Sequence, residues 1–374
     1  MPMSRTRSIG FIKKTYTPFG GAEVYLSRII DRLSEEGYDL HVIASMWSGE
    51  GNASVHLVDG SGFGSAGSIR KFNASVAAEV ERLKLDCVLS FERTTSGKIY
   101  RAGDGVHARW LDLRRKVEGP LKSLSFQINP LHRTLLSLER EIFLRTPVII
   151  ANSLMVRHDI MKYYGVPGER IRLIYNGVDT DAFRPDESGQ KRREVRSRHS
   201  IDMDVPVIIY VGSGFERKGL GRLISAMREV PDAVVIAIGK GDIARYQRMA
   251  RQNGVADRVH IIGSRPDVLD YYQASDVFAL PTSYDPFSNA TIEAMACGLP
   301  VVTTLNNGAS EIINDKKEGC IANDYTSSDE LSYCLNLAVS GSSVMGPLAR
   351  QKAMSLTLTG AVDGFLNLIK ECTK

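Results

Sequence analysis

Short apolar runs bounded by turn residues alternate along nearly the whole chain with segments whose apolar positions recur at helical spacing. This alternation predicts parallel strands covered by helices. Runs at 8–12, 40–44, 86–91 and 148–151 make a first set of strands, and runs at 207–211, 234–238, 259–262, 277–280 and 301–303 a second. Between the sets lie the turn-rich stretch 175–185 and a densely charged segment at 190–198. The pattern predicts two domains, residues 1–182 and 183–374. The final segment, 357–374, is helical in period, with Leu358, Val362, Phe365, Leu366 and Ile369 on one side. It is suited either to closing the second domain or to crossing back to the first. Two open sheets of this kind bind ligands beyond the carboxyl ends of their strands, so the site is expected in a cleft between the domains.

Length and composition narrow the class. At 374 residues and 43% hydrophobic content the chain can bury two cores. No apolar run approaches the eighteen or so residues of a membrane span, and the N-terminal stretch lacks the length of a signal peptide. Cytoplasmic residence is therefore expected. The five cysteines, Cys87, Cys297, Cys320, Cys334 and Cys372, have no metal-ligand spacing and are expected as reduced thiols. A net charge of +4 permits anionic ligands or a membrane surface without implying nucleic acid.

The densest chemistry lies at 285–302. The run 277–280 reads as a buried strand, 281–286 as a loop, and 289–297 as a helix stopped by Gly298. Asp285 then sits in the loop and Glu293 one turn into the helix, around free amides near Ser288 to Ala290 that suit a phosphate or sugar oxygen. The alternative is an acidic loop with a solvated glutamate. A second unit runs from the strand 207–211 through Gly212-Ser-Gly-Phe-Glu-Arg217-Lys218-Gly219 into a helix. Adjacent cations at a helix start fit a diphosphate, although Arg217 and Lys218 also read as ordinary surface charges. Leu220 follows Gly219 where a P-loop needs Lys, and the glycines do not follow the dinucleotide-binding spacing.

In the first half, Gly20 and Gly21 form a turn before a helix carrying Val24, Leu26, Ile29, Ile30 and Leu33. They either admit a ligand to the backbone or make a plain tight turn. The segment 101–110 combines Gly103, Asp104, Gly105, His107 and Arg109 directly after a short apolar run. His107 there either orients a hydroxyl or packs into the following helix. From Arg109 to Lys122, cations are interleaved with Trp110, Leu111, Leu113 and Leu121. That pattern suits an anionic membrane surface, or a domain helix with a solvated basic face.

Together these stretches resemble the retaining nucleotide-sugar glycosyltransferases of family 4, with the GT-B fold, and within them the lipopolysaccharide-core glucosyltransferase I group. The resemblance rests on 285–302, on the turn 212–219, on Ala151-Asn-Ser, on Asn176-Gly-Val-Asp179 and on Pro18-Phe-Gly-Gly21. It implies an α/β fold of two Rossmann-like, doubly wound parallel-sheet domains facing a central cleft, the first binding the acceptor and the second the nucleotide sugar. Carried over by position, it implies that Arg217 and Lys218 neutralise the donor diphosphate and that Glu293 holds the ribose hydroxyls. Phe287, Ser288 and Asn289 would meet the transferred sugar; Gly20, Gly21, Gly212 and Arg265 join the donor-binding set, and His107 lies beside the sugar. Asp285 stands where the family usually has Glu, one methylene longer, so the amides of Phe287, Ser288 and Asn289 are the alternative sugar ligands.

The activity so implied is transfer of a hexose from a nucleoside-diphosphate sugar, with UDP favoured, to a glycan or glycolipid hydroxyl in cell-envelope synthesis. No permanently bound cofactor and no metal are expected, because cations would stabilise the leaving diphosphate. His107, Asp104, Asp285, Arg217 and Lys218 are the catalytic candidates. A nucleotide-sugar epimerase of the same architecture and a non-catalytic glycan-binding protein are the alternatives.

Overall fold

The structure is a computed structural model that describes residues 6–16, 21–48 and 52–373. The chain divides into two compact units, residues 1–175 with 359–374, and residues 176–358. The division falls seven residues before the predicted one. Its cause is Arg350, whose guanidinium donates to the carbonyls of Thr180, Phe183 and Ala296 and ties the turn-rich stretch into the second unit.

Across the first sheet the strands run Ser54–Leu57, Asp39–Ala44, Ser8–Ile12, Cys87–Ser90, Ile99–Arg101, Val148–Ala151 and Ile171–Leu173, and every paired neighbour is parallel. The order reverses beside Ser8–Ile12. Helix Gly21–Glu35 follows that strand and buries Leu26, Ile29, Ile30 and Leu33, the positions its helical period singles out. The last helix, Leu358–Cys372, packs in this unit: Phe365 lies against Tyr25 and Phe91, at ring-centroid distances of 6.3 and 6.1 Å. Val362, Leu366 and Ile369 are buried beside it.

The second sheet runs Val259–Gly263, Val234–Ile238, Val207–Val211, Val277–Leu280, Val301–Thr304 and Gly319–Ala322, again all parallel. Its central strands are apolar and inaccessible along most of their length, as expected for strands covered on both faces. The charged segment is helix Gln190–Arg198, and it is not a solvated linker. Arg196 is wholly buried, with its guanidinium spent on the carbonyls of Ala274, Asp202, Met203 and Val205 and on the Asp276 carboxylate at 2.6 Å. Complete pairing is what allows a charge to sit there.

The expectation of five reduced thiols is corrected at one pair. Cys320, on a strand, and Cys334, on the helix Ser328–Ser340 that covers it, are disulfide-bonded with Cα atoms 5.2 Å apart. Fourteen residues separate them in sequence, so only the strand–helix packing brings them together.

Candidate functional site

In the second unit the strand order reverses between Val207–Val211 and Val277–Leu280. A doubly wound sheet places its ligand crevice at such a reversal. The loops leaving these two strands carry the two motifs singled out above, and they are knitted together. Gly219 makes this possible: at φ +82°, a Cβ on it would lie 1.9 Å from the carbonyl oxygen of Pro281. No other residue type tolerates both the conformation and the contact. The carbonyl of Arg217 accepts from the Ser283 amide and from the hydroxyls of Thr282 and Ser283, and its guanidinium donates to the Tyr284 carbonyl at 2.8 Å. Lys218 Nζ donates to the Asp285 carboxylate. Gly212 lies against the Lys218 stem, where a Cβ would meet its Cγ at 3.2 Å.

Asp285 is buried, and its backbone pairs with residues 306–308: its amide donates to Asn306 and its carbonyl accepts from Gly308, each at 2.8 Å. Its side chain therefore faces a cation. Asn307, which the sequence reading did not single out, organises this corner. Wholly buried, it accepts through Oδ1 from the amides of Ser288 and Ala309 and donates through Nδ2 to the hydroxyls of Thr291 and Thr303. The Ser288 amide, a predicted sugar ligand, is thus already engaged. Asn289 Oδ1 accepts from Asn176 Nδ2 at 2.7 Å. Phe287 is buried in the same loop. The one available sequence signal for Asn307 is Asn306-Asn307-Gly308, a turn composition directly after a strand.

Glu293 lies one turn into helix Asn289–Ala296 and accepts from the Tyr272 hydroxyl at 3.1 Å. Burial pushes its carboxyl up to about 6, against the opposing pull of Tyr272. Its proton affinity is thus set close to neutrality. Arg265 engages Asp267 through two bonds of 2.9 Å and lies over Tyr271, so its charge is locally compensated.

The first unit gathers a different group. Arg93 pairs with Asp104 at 3.1 Å and with Glu139 at 3.4 Å. Glu139 is wholly buried and accepts from the His107 amide at 2.7 Å and the Tyr164 hydroxyl at 2.7 Å. Burial raises its carboxyl, which Arg93 and these donors oppose. His107 opens helix His107–Ile128, and its Nε2 lies 3.0 Å from Nδ1 of His132. Burial, with Arg93, His132 and Arg114, pushes its imidazole down to about 3. The ring is neutral at physiological pH. It therefore works as a hydrogen-bonding group rather than as a cation. Neither Glu139 nor His132 was singled out from the sequence, since both lie in a leucine- and arginine-rich stretch that reads as an ordinary helix. Gly21 opens helix Gly21–Glu35, and Gly20 lies outside the described residues.

Residues 19–182 match the family described as Glycosyltransferase Family 4, and residues 191–351 match Glycosyl transferases group 1. The chain belongs to this glycosyltransferase family. A curated relative, lipopolysaccharide glucosyltransferase WaaG of Escherichia coli strain K12, is 24% identical over 344 residues, covering 89% of this chain and 90% of that one. The solved structure of WaaG, a glycosyltransferase involved in lipopolysaccharide biosynthesis, superposes with a TM-score of 0.83 at 22% identity, over 96% of this chain and 99% of the other. Anabaena HepE, solved with UDP-glucose, superposes with a TM-score of 0.71 at 18% identity, over 97% of this chain and 99% of that one. The fold is GT-B, with two Rossmann-like parallel-sheet units. In the group 1 unit the loops at the strand reversal carry Arg217, Lys218 and Asp285, and the helix that follows carries Glu293.

Proposed function

We propose that this glycosyltransferase moves a hexose from a nucleoside-diphosphate sugar, with UDP as the favoured nucleotide, to a hydroxyl of a glycan or glycolipid in lipopolysaccharide or related envelope synthesis, retaining anomeric configuration. The observation that carries the reading is the pair Arg217 and Lys218, fixed by the Gly219 turn against the 281–288 loop at the strand reversal. The UDP-glucose complex of HepE and the activity of WaaG support the choice of donor and acceptor class.

The chemistry is electrostatic. As the glycosidic bond breaks, charge grows on the leaving diphosphate, and cations already held in place bind it more strongly than they bind the intact donor. In the free protein Asp285 occupies Lys218, so the diphosphate replaces one anionic partner with another and Lys218 is not left unpaired. Glu293, ionised above pH 6, accepts from the ribose hydroxyls, and Arg265 lies in the same unit as a further donor-facing cation. Neutral His107, oriented by His132, supports a sugar hydroxyl while acceptor attack proceeds on the face the leaving group departs from. Asp104, held by Arg93, is not called upon as a nucleophile. With two fixed cations on the diphosphate, no divalent metal is required.

The test is a panel of nucleotide sugars assayed for donor hydrolysis and transfer with and without EDTA. UDP-sugars are expected to turn over, and EDTA to leave the rate unchanged; loss on chelation with recovery on manganese refutes the metal-free reading. The segment His107–Ile128, which is broken at Gly119 (φ 77°, ψ 172°), also exposes Arg115, Lys116 and Val117 before the break and Leu124 and Ile128 after it. We propose that this segment rests on anionic lipid at the inner surface of the plasma membrane. Arg114 is held by Glu118 and by the Phe126 and Trp110 rings, and Arg115 by Asp112 at 2.8 Å, so lipid phosphates would compete with these partners. Salt-sensitive binding to phosphatidylglycerol vesicles, lost on reversing the charges of Arg115 and Lys116, is the expected result.

A further inference from the structure

The first unit also holds a cavity of about 550 Å³ between helix Gly64–Leu83 and helix Pro130–Arg145. Small-molecule sites have volumes of this order. Arg70 and Asn73 line it from one helix, and Arg133, Thr134 and Ser137 from the other. Asn73 Nδ2 donates to the carbonyls of Ile69 and Arg93, both at 3.1 Å. Because Arg93 lies in the loop leaving strand Cys87–Ser90, this bond fixes the cavity on the carboxyl-end side of the first sheet. Ligands of doubly wound sheets bind on that side.

In this unit Arg82, Arg93, Arg114, Arg115 and Arg145 each face a carboxylate within 3.1 Å, whereas Arg157 and Arg170 donate to backbone carbonyls. Arg70 donates instead to the Thr134 hydroxyl at 2.9 Å, and neither it nor Arg133 has an ion-pair partner among the described residues. The one carboxylate lining the cavity, Glu141, is occupied by Arg145 at 2.7 Å. Two guanidinium groups without counter-charges beside hydroxyl and amide side chains match an oxyanion carried on a hydroxylated ring. Guanidinium forks suit phosphate and carboxylate alike.

The geometry points to this cavity as the acceptor site, and to an acceptor that carries a phosphate or carboxylate next to its sugar hydroxyls. The inference rests on the reading of the chain as a transferase to a glycan. Its test uses glucose 6-phosphate, glucuronate and glucose as probes, titrated by calorimetry into the wild-type protein and into the Arg70→Ala/Arg133→Ala variant, with UDP titrated into both. One or both anionic sugars are expected to bind at least about tenfold more tightly than glucose, and the double variant to lose at least about tenfold of that affinity. Binding of glucose 6-phosphate alone assigns the anion as phosphate, and binding of glucuronate alone as carboxylate. Arg133→Gln, which alters one exposed, unpaired side chain, should show part of the loss and separates the effect from misfolding. Equal binding of glucose, no binding of either anion by the wild type, or full retention by both variants overturns the proposal. Failure of the wild type to bind UDP strikes instead at the transferase reading, whereas UDP binding without anion binding removes only this site.

Discussion

The two sheets reverse their strand order in the same way, yet the charges at the two reversals are opposite in balance. In the second unit Lys218 faces one buried carboxylate, Asp285, while Arg217 donates to the Tyr284 carbonyl. In the first, Lys13 leaves strand Ser8–Ile12 and is held between two, Glu92 at 3.0 Å and Glu23 at 3.7 Å. Burial alone would lower the Lys13 ammonium, and these carboxylates more than offset it, leaving it raised. A shared topology thus supplies a crevice without deciding its ligand. The side chains on the crevice loops decide whether an anion is drawn in, as in the second unit, or a lone cation is neutralised, as in the first.

The strongest way to break this contrast is to remove each lysine. Lys218→Ala should lower the transfer rate by on the order of 10²–10³, the usual cost of deleting one preorganised charge-stabilising donor. Lys13→Ala should act mainly on stability, by about 1 kcal/mol, because Glu92 keeps its bond from the Lys14 amide. Rates and melting midpoints of both variants measure the two effects; an equal loss of rate would abolish the distinction.

A smaller effect is expected from Asp285→Asn. If the carboxylate serves to hold Lys218, UDP affinity should change by less than about tenfold. A far larger loss in a UDP titration would make Asp285 itself a donor ligand.

The smallest effect concerns pH and sharpens the comparison through the one titrating group at the second site. The Glu293 carboxyl is raised to about 6 in the folded protein from an ordinary 4.5. Its contribution to stability is therefore full at low pH and fades as pH rises through 6, since the folded state holds the proton more tightly. Donor binding needs the opposite form. UDP-glucose, whose diphosphate does not titrate in this range, should bind more weakly as pH falls through 6, and Glu293→Gln should flatten that dependence. His107, pushed down to about 3, should add no titration between pH 5 and 8 in the first unit. A pH profile of affinity that persists unchanged in the Gln variant would remove Glu293 from the ribose.

The core strands were legible because strands buried on both faces must be continuous apolar runs, and Val207–Val211, Val234–Ile238 and Val277–Leu280 carry them from end to end. Ser54–Leu57, Ile171–Leu173 and Gly319–Ala322 were not legible. They are short, and Ser54–Leu57 is an exposed edge strand whose apolar positions carry no burial signal. The same division runs through the site. Arg217 and Lys218 were visible because strand, glycine turn and cations are adjacent in sequence. Asn307, Glu139 and His132 were not, because each holds a partner 16 to 32 residues away and its own neighbours show nothing unusual.

By itself the amino-acid sequence determined the two-sheet class, the central strands, the glycine turn with its cations and the acidic helix start, all of which depend on local periodicity, backbone freedom and nearest neighbours. Only the tertiary structure decided that Lys218 faces Asp285, that Asn307 takes up the Ser288 amide, that His107 meets His132, that Arg196 is buried, and that the last helix packs with the first unit. Those outcomes depend on which distant groups share one small volume. There the pairing of charges and the satisfaction of buried hydrogen bonds outweigh any preference a single segment carries.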